Sequence, residues 1–120
     1  MRNFRTLNIW KEGILLVKKI YQLSESLPPE EKLGLRSQIC RSSISIPSNI
    51  AEGCSRSSQP DFKRFLEIAL GSSFELETQL YIAGELSFIS KKEVKVIIEN
   101  IDKEQKMINN FIQKLKANSQ

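Results

Sequence analysis

Four stretches of the chain repeat their apolar residues at helical spacing. In the first, about Asn8 to Ser26, Trp10, Ile14, Val17 and Tyr21 step along one face. Leu16, Ile20, Leu23 and Leu27 widen that face, Asn8 is placed to cap the start, and Pro28-Pro29 ends the run. The second stretch, 29–56, carries Leu35, Ile39, Ile46 and Ile50 on one side, with Glu30 and Glu31 suited to the positive end of a helix. Pro47 falls inside it. A kinked single helix or two helices meeting at Ser45 would both accommodate that proline, and the unbroken apolar phase favours the kink. The third stretch, 59–86, opens on Ser58-Gln59-Pro60-Asp61, a capping pattern, and holds a seam of Phe62, Leu66, Ala69, Ser73, Leu76, Leu80 and Ala83. The fourth, 91–117, opens on the capping box Ser90-Lys91-Lys92-Glu93 and repeats the rhythm with Val94, Ile98, Ile101, Gln105, Ile108, Ile112 and Leu115. Asn118-Ser119-Gln120 is expected to fray.

Four amphipathic helices with short connections predict an all-α, antiparallel up-down-up-down four-helix bundle, a single domain spanning residues 1–120. With the second turn centred near Ser58, facing residues of helices two and three should sum to about 116. Glu52 is then expected near Arg64, Arg41 near Glu75, and Ser43 and Ser45 near Ser73 and Gly71, where small residues allow close backbone approach.

Composition narrows the chemistry. The chain has no histidine, which removes histidine-based nucleophile activation, general-base chemistry and metal ligation. Its two cysteines, Cys40 and Cys54, fall on one expected helix some 21 Å apart, too far to bridge. They read as small packed thiols. No phosphate-binding glycine motif occurs, no cofactor is expected, and no apolar run is long enough to span a membrane, so a cytoplasmic protein is expected.

Charge adds a direction. The net charge is +4, unevenly spread: segment 59–86 has two basic and five acidic residues, and segment 91–117 has seven basic and four acidic. A basic face can bind phosphate backbone; a solvated surface is the plainer reading of the same residues. Trp10, Phe62 and Phe111 sit at core spacing, so they read as packing residues rather than base-stacking platforms.

The blocks Gly34-Leu35-Arg36-Ser37-Gln38-Ile39, Ser45-Ile46-Pro47-Ser48-Asn49-Ile50-Ala51-Glu52-Gly53 and Phe62-Lys63-Arg64-Phe65-Leu66-Glu67-Ile68-Ala69 are distinctive. So are Gly71-Ser72 and Glu75-Leu76-Glu77-Thr78-Gln79-Leu80. Together with Phe4-Arg5, Leu7 and Trp10, they closely resemble the 23S rRNA intervening-sequence proteins over nearly the whole chain. The resemblance implies a four-helix bundle, assembly as a homopentamer, and no enzymatic activity. A related branch, the accessory variability determinants of diversity-generating retroelements, implies nucleic acid and a reverse transcriptase as partners. The chain departs from the pattern at Cys40, where a basic residue beside Arg41 is common, and at Cys54-Ser55 before Arg56. The departure at Cys40 weakens the case for RNA binding on that face.

The resulting expectation is a non-enzymatic homo-oligomer that binds RNA or DNA through phosphate contacts from Arg5, Lys11, Lys18, Lys19, Arg36 and Arg56. The alternative is a scaffold or accessory subunit for a polymerase or reverse transcriptase. Arg41, Ser48, Asn49, Glu52, Arg64 and Glu75 are expected to form a structural polar network around Pro47 rather than a catalytic cluster.

Overall fold

A computed structural model describes residues 2–118. Four helices form: α1 (Asn8–Ser24), α2 (Leu35–Cys54), α3 (Gln59–Glu85) and α4 (Lys91–Asn118). Short 3-10 turns at Phe4–Thr6 and Pro29–Glu31 precede α1 and α2. Each helix packs on its chain neighbours and α1 closes on α4, leaving α1 diagonal to α3 and α2 diagonal to α4. The bundle measures 48 × 22 × 19 Å. Of the tail expected to fray, Asn118 is the last residue of α4, and Ser119 and Gln120 lie outside the described residues.

Local chemistry sets the helix ends. Ser58 caps α3 by accepting the Asp61 N–H at 3.2 Å, and Ser90 accepts the Glu93 N–H at 3.1 Å while donating to the Glu93 carboxylate at 2.9 Å. Leu7, not Asn8, occupies the cap position of α1, and Asn3 instead caps the preceding 3-10 turn. α2 starts at Leu35 rather than at residue 29. Gly34, at φ −105° and ψ −117°, breaks the run, and the Glu31 carboxylate caps the new helix by accepting the Leu35 N–H at 3.1 Å. α3 ends with Ser87 in the left-handed region (φ 62°), where the Phe88 N–H bonds to the Ala83 carbonyl and the Ser87 N–H to Gly84. α2 runs through Pro47 as one helix.

The seam expected for α3 is buried at all seven positions, from Phe62 to Ala83. In α1 the burial differs from the expected face. Ile9, Gly13, Leu16, Ile20 and Ser24 are buried, whereas Trp10 and Val17 are half-buried and Ile14 and Tyr21 are each 44% exposed. Apolar residues cover most of the circumference of α1, so periodicity admits two faces. Gly13 marks the face that is used, because its missing side chain lets α1 approach Pro47 of α2: a Cβ there would sit 3.2 Å from Pro47 Cβ.

α4 departs from expectation at two positions, the first being Ile98, which is half-buried while Ile97 is buried. The buried residue between Ile101 and Ile108 is Glu104, 1% exposed, rather than Gln105. Gln105 is half-buried and donates to Glu77 of α3 at 2.9 Å. Among the described residues neither Glu104 carboxyl oxygen has a hydrogen-bond partner. Burial pushes the Glu104 carboxyl up to about 8; the neighbouring Glu12 adds to the rise and Lys103 opposes it. Glu12 and Lys103 are themselves paired at 3.3 Å.

Helices two and three meet in a register one residue from the expected sum. Ser42 Oγ donates to Glu75 Oε1 at 2.6 Å, and the Ser45 and Ser72 hydroxyls lie 2.8 Å apart. Gln79 reaches the same Ser42 hydroxyl at 2.9 Å. The close approach of these helices is at Gly53, where a Cβ would lie 2.8 Å from Phe65 Cβ and 3.3 Å from the Phe62 carbonyl oxygen. Gly71, expected to serve that purpose, lies on the outer face with open space around it. Ser43 and Ser73 are buried, and each hydroxyl donates to a carbonyl of its own helix, Cys40 and Leu70.

Cys40 and Cys54 are free thiols on α2. Cys54 is buried, which pushes its thiol pKa up; Cys40 is half-buried with its sulfur 3.6 Å from Ser24 Oγ. Among the described residues no helix is long and apolar enough to cross a membrane.

Candidate nucleic-acid interface

The antiparallel arrangement brings three separate pieces of chain to one end of the bundle: residues 2–10, the α2–α3 connection with its flanking turns at 50–66, and the last turns of α4 at 107–118. These pieces carry seven basic residues (Arg2, Arg5, Arg56, Lys63, Arg64, Lys114 and Lys116) against Glu52 and Asp61, a net +5. The whole chain nets +4, so everything outside this pole sums to −1. Six of the seven are exposed, and Lys63 is half-buried.

Aromatic rings position the arginines. Arg56 and Arg64 both stack on Phe65, their guanidinium carbons 4.7 and 4.6 Å from the ring centroid. Arg2 stacks on Phe62 at 4.6 Å and Arg5 on Phe4 at 4.5 Å. Each such contact at an exposed site contributes roughly 0.5–1 kcal/mol and limits the freedom of a long side chain. The rings are themselves fixed: Phe62 sits edge-to-face with Phe111 at 5.6 Å, and Phe4 with Trp10 at 5.2 Å. The Arg2 N–H donates to the Cys54 carbonyl at 3.0 Å, tying the N-terminal segment to the end of α2.

Local acids partly offset two of the arginines. Arg56 pairs with Glu52 at 3.2 Å and Arg64 with Asp61 at 3.3 Å. The expected Glu52–Arg64 bridge between helices is therefore not formed. Partners three or four residues away on the same helix are nearer, and stacking on Phe65 holds both guanidiniums over the α2–α3 junction. Exposed pairs of this kind are weak, about 0.2–1 kcal/mol, and open readily to a competing anion.

Of the residues expected to contact phosphate, Arg5 and Arg56 lie at this pole. Lys11 follows in the first turns of α1, just beyond it. Lys18 and Lys19 sit about 11 Å further along the helix, and Lys19 Nζ donates to Asn100 Oδ1 at 2.7 Å. Arg36 is half-buried in the first turn of α2, at the opposite end. The sequence reading does not mark Arg2, Lys63, Lys114 and Lys116, and gives Arg64 only a structural role. Counting charge helix by helix hides them; counting it by bundle end, from the antiparallel topology alone, finds them.

The polar network expected around Pro47 is reorganised. Asn49 Nδ2 donates to the Ser45 carbonyl at 2.8 Å and to Ser45 Oγ at 2.9 Å. With Ser72 this makes a short α2–α3 link. Ser48 is exposed. Arg41 and Glu75 line one cleft of about 380 Å³ with Gln38, Ser42, Ser45 and Gln79. Among the described residues no ion pair joins them; Glu75 is held by Ser42 instead.

No curated protein matches the chain. Among solved structures, the chain is similar to a protein of unknown function from the S23 ribosomal protein family of Bacteroides thetaiotaomicron. The two superpose with a TM-score of 0.80 at 25% identity, over 87% of this chain and 97% of the other. The family model for the 23S rRNA-intervening sequence protein matches residues 5–110. The chain, an all-helical bundle with the polar α2–α3 seam described above, thus belongs to the 23S rRNA-intervening sequence protein family.

Proposed function

We propose that this protein is a non-catalytic binding module that holds RNA or DNA by its phosphate backbone at the arginine pole. The observation that carries the reading is the charge segregation: net +5 at one end of the bundle and −1 elsewhere. Guanidiniums suit the task because they stay charged at any physiological pH and present several donors in a plane that matches phosphate oxygens. Stacking on Phe4, Phe62 and Phe65 reduces the entropy lost when phosphate is bound. Lys11, Lys18 and Lys19 extend the basic surface along α1, and Arg36 falls outside the interface.

The test is binding of the purified protein to structured RNA and to duplex DNA at low and moderate salt. Affinity is expected to fall steeply with salt, and the Arg5→Ala/Arg56→Ala variant to bind more weakly at every salt concentration. Affinity that barely responds to salt, or to removal of these charges, would sink the reading.

A second observation favours assembly with further copies of the chain. Of the α1 stripe Trp10, Ile14, Val17 and Tyr21, Ile14 and Tyr21 are exposed and Trp10 and Val17 are half-buried. On the diagonal helix α3, Ile68, Phe74, Tyr81 and Ile82 are exposed among acidic residues, whereas Lys11 and Lys18 flank the α1 stripe. Two unlike faces of opposite charge suit head-to-tail association. Ile14→Glu is expected to lower the mass measured in solution while leaving the helical signal intact; an unchanged mass rules out this face as the contact. An accessory role beside a polymerase or reverse transcriptase would use the same apolar surface.

A further inference from the structure

No aromatic residue at the arginine pole is exposed. Phe62 is 2% and Phe65 6% exposed, and Phe4, Trp10 and Phe111 are half-buried. Three of the rings already carry a guanidinium. Phe111 lines a depression of about 600 Å³ with Leu7, Met107 and Lys114, but its ring is held edge-to-face against Phe62. None of the large exposed apolar side chains among the described residues falls at this end of the bundle. The pole thus offers phosphate contacts and no open platform for a base.

Single-stranded nucleic acid is ordinarily held by such platforms, on which successive bases stack. Without them, affinity must come from phosphate density. A duplex carries one charge per about 1.7 Å of axis, and a strand at duplex spacing half as many. Across a footprint of about 20 Å, the duplex presents roughly twelve phosphates and the strand roughly six. The basic residues also come from three segments spread over an end of 22 × 19 Å rather than from a single line, which matches charge on two strands better than on one.

We propose that the arginine pole selects double-stranded over single-stranded nucleic acid, reading backbone phosphates on both strands without base contacts. The inference rests on the nucleic-acid reading above and deepens it by naming the substrate class. RNA and DNA duplexes share the chemistry invoked, and both are expected to bind.

The experiment is fluorescence anisotropy with the purified full-length chain. Short RNA and DNA duplexes are compared with unstructured oligo-U and oligo-dT of equal strand length across a salt series. Duplexes are expected to bind at least about ten-fold more tightly than the single strands. The Arg56→Ala/Arg64→Ala variant is expected to lower the duplex salt slope by about 2. Equal or tighter binding of the single strands overturns the duplex preference while leaving nucleic-acid binding intact. Absence of binding to every probe at low salt overturns both readings.

Discussion

Glu104 lies against Gly13 in the middle of the bundle, so close that a Cβ on the glycine would stand 3.1 Å from Glu104 Oε2. The same atom would lie 3.2 Å from Pro47 Cβ, so three helices converge on a position with no side chain of its own. Gly13→Ala should therefore cost stability despite the better helix propensity of alanine, which is worth up to about 1 kcal/mol. Overpacking a buried contact costs about 1–3 kcal/mol, so a net loss is expected in urea unfolding. A gain would show that α1 and α2 can separate without penalty.

Glu104 should make the fold sensitive to alkali. Its carboxyl is raised from the ordinary 4.5 to about 8 in the folded protein. Below about pH 4 both folded and unfolded states hold the proton, and the full stability is present. Between about 4.5 and 8 the unfolded chain releases the proton while the fold retains it, so stability declines as pH rises. Through pH 8 the folded protein also ionises and the loss is complete, on the order of 3–5 kcal/mol. The groups around it set the direction: burial dominates, Glu12 of α1 adds to it, and Lys103 offsets part. Glu104→Gln should flatten the dependence of melting temperature on pH between 5 and 8. An equally steep profile in that variant would assign the effect to another group.

Ser87 is the described non-glycine residue with positive φ, at 62°, and it sits where α3 turns toward α4. A side chain in that region costs about 1–2 kcal/mol, which glycine avoids. Glycine loses part of this gain to the greater freedom of the unfolded chain. Ser87→Gly should raise stability by about 0.5–1 kcal/mol, read as a shift of the urea midpoint at constant slope. A loss would mean that the Ser87 side chain makes a contribution beyond the backbone turn.

Much of this architecture is legible in the sequence because periodicity and caps agree. The α3 seam repeats without interruption between a serine cap and a turn, so a single helical phase fits it. α1 was not legible in the same way. Its apolar residues fit two phases, and the deciding feature is a glycine, which apolar periodicity does not register. Glu104 is missed because the rhythm through Val94, Ile98 and Ile101 selects Gln105, whereas the buried phase runs through Ile97, Ile101 and Glu104 and asks for a buried carboxyl. The arginine pole was hidden because its members come from three segments far apart in sequence. Local charge marks Arg5 and Arg56, whereas Arg2, Lys63, Lys114 and Lys116 become neighbours only once the helices are folded into antiparallel register, and the sequence offers Arg64 only as a structural partner for Glu52.

Phe65 separates the positioning of charge from charge itself. It is 6% exposed, packs against the Gly53 backbone, and carries Arg56 and Arg64 on its ring. Phe65→Leu keeps an apolar side chain in the core, at an expected cost of about 1 kcal/mol in stability, and removes the ring face. The two lost cation–π contacts together are worth roughly 1–2 kcal/mol, so affinity for a duplex should fall by about five- to thirty-fold at most if both guanidiniums are held by stacking. The salt slope should stay unchanged, since both charges remain. The Arg56→Ala/Arg64→Ala variant should differ by losing slope as well as affinity. If Phe65→Leu binds as tightly as the parent protein, the ring does not orient the arginines and they act as mobile surface charges. If it loses slope, the substitution has displaced the guanidiniums from the interface altogether.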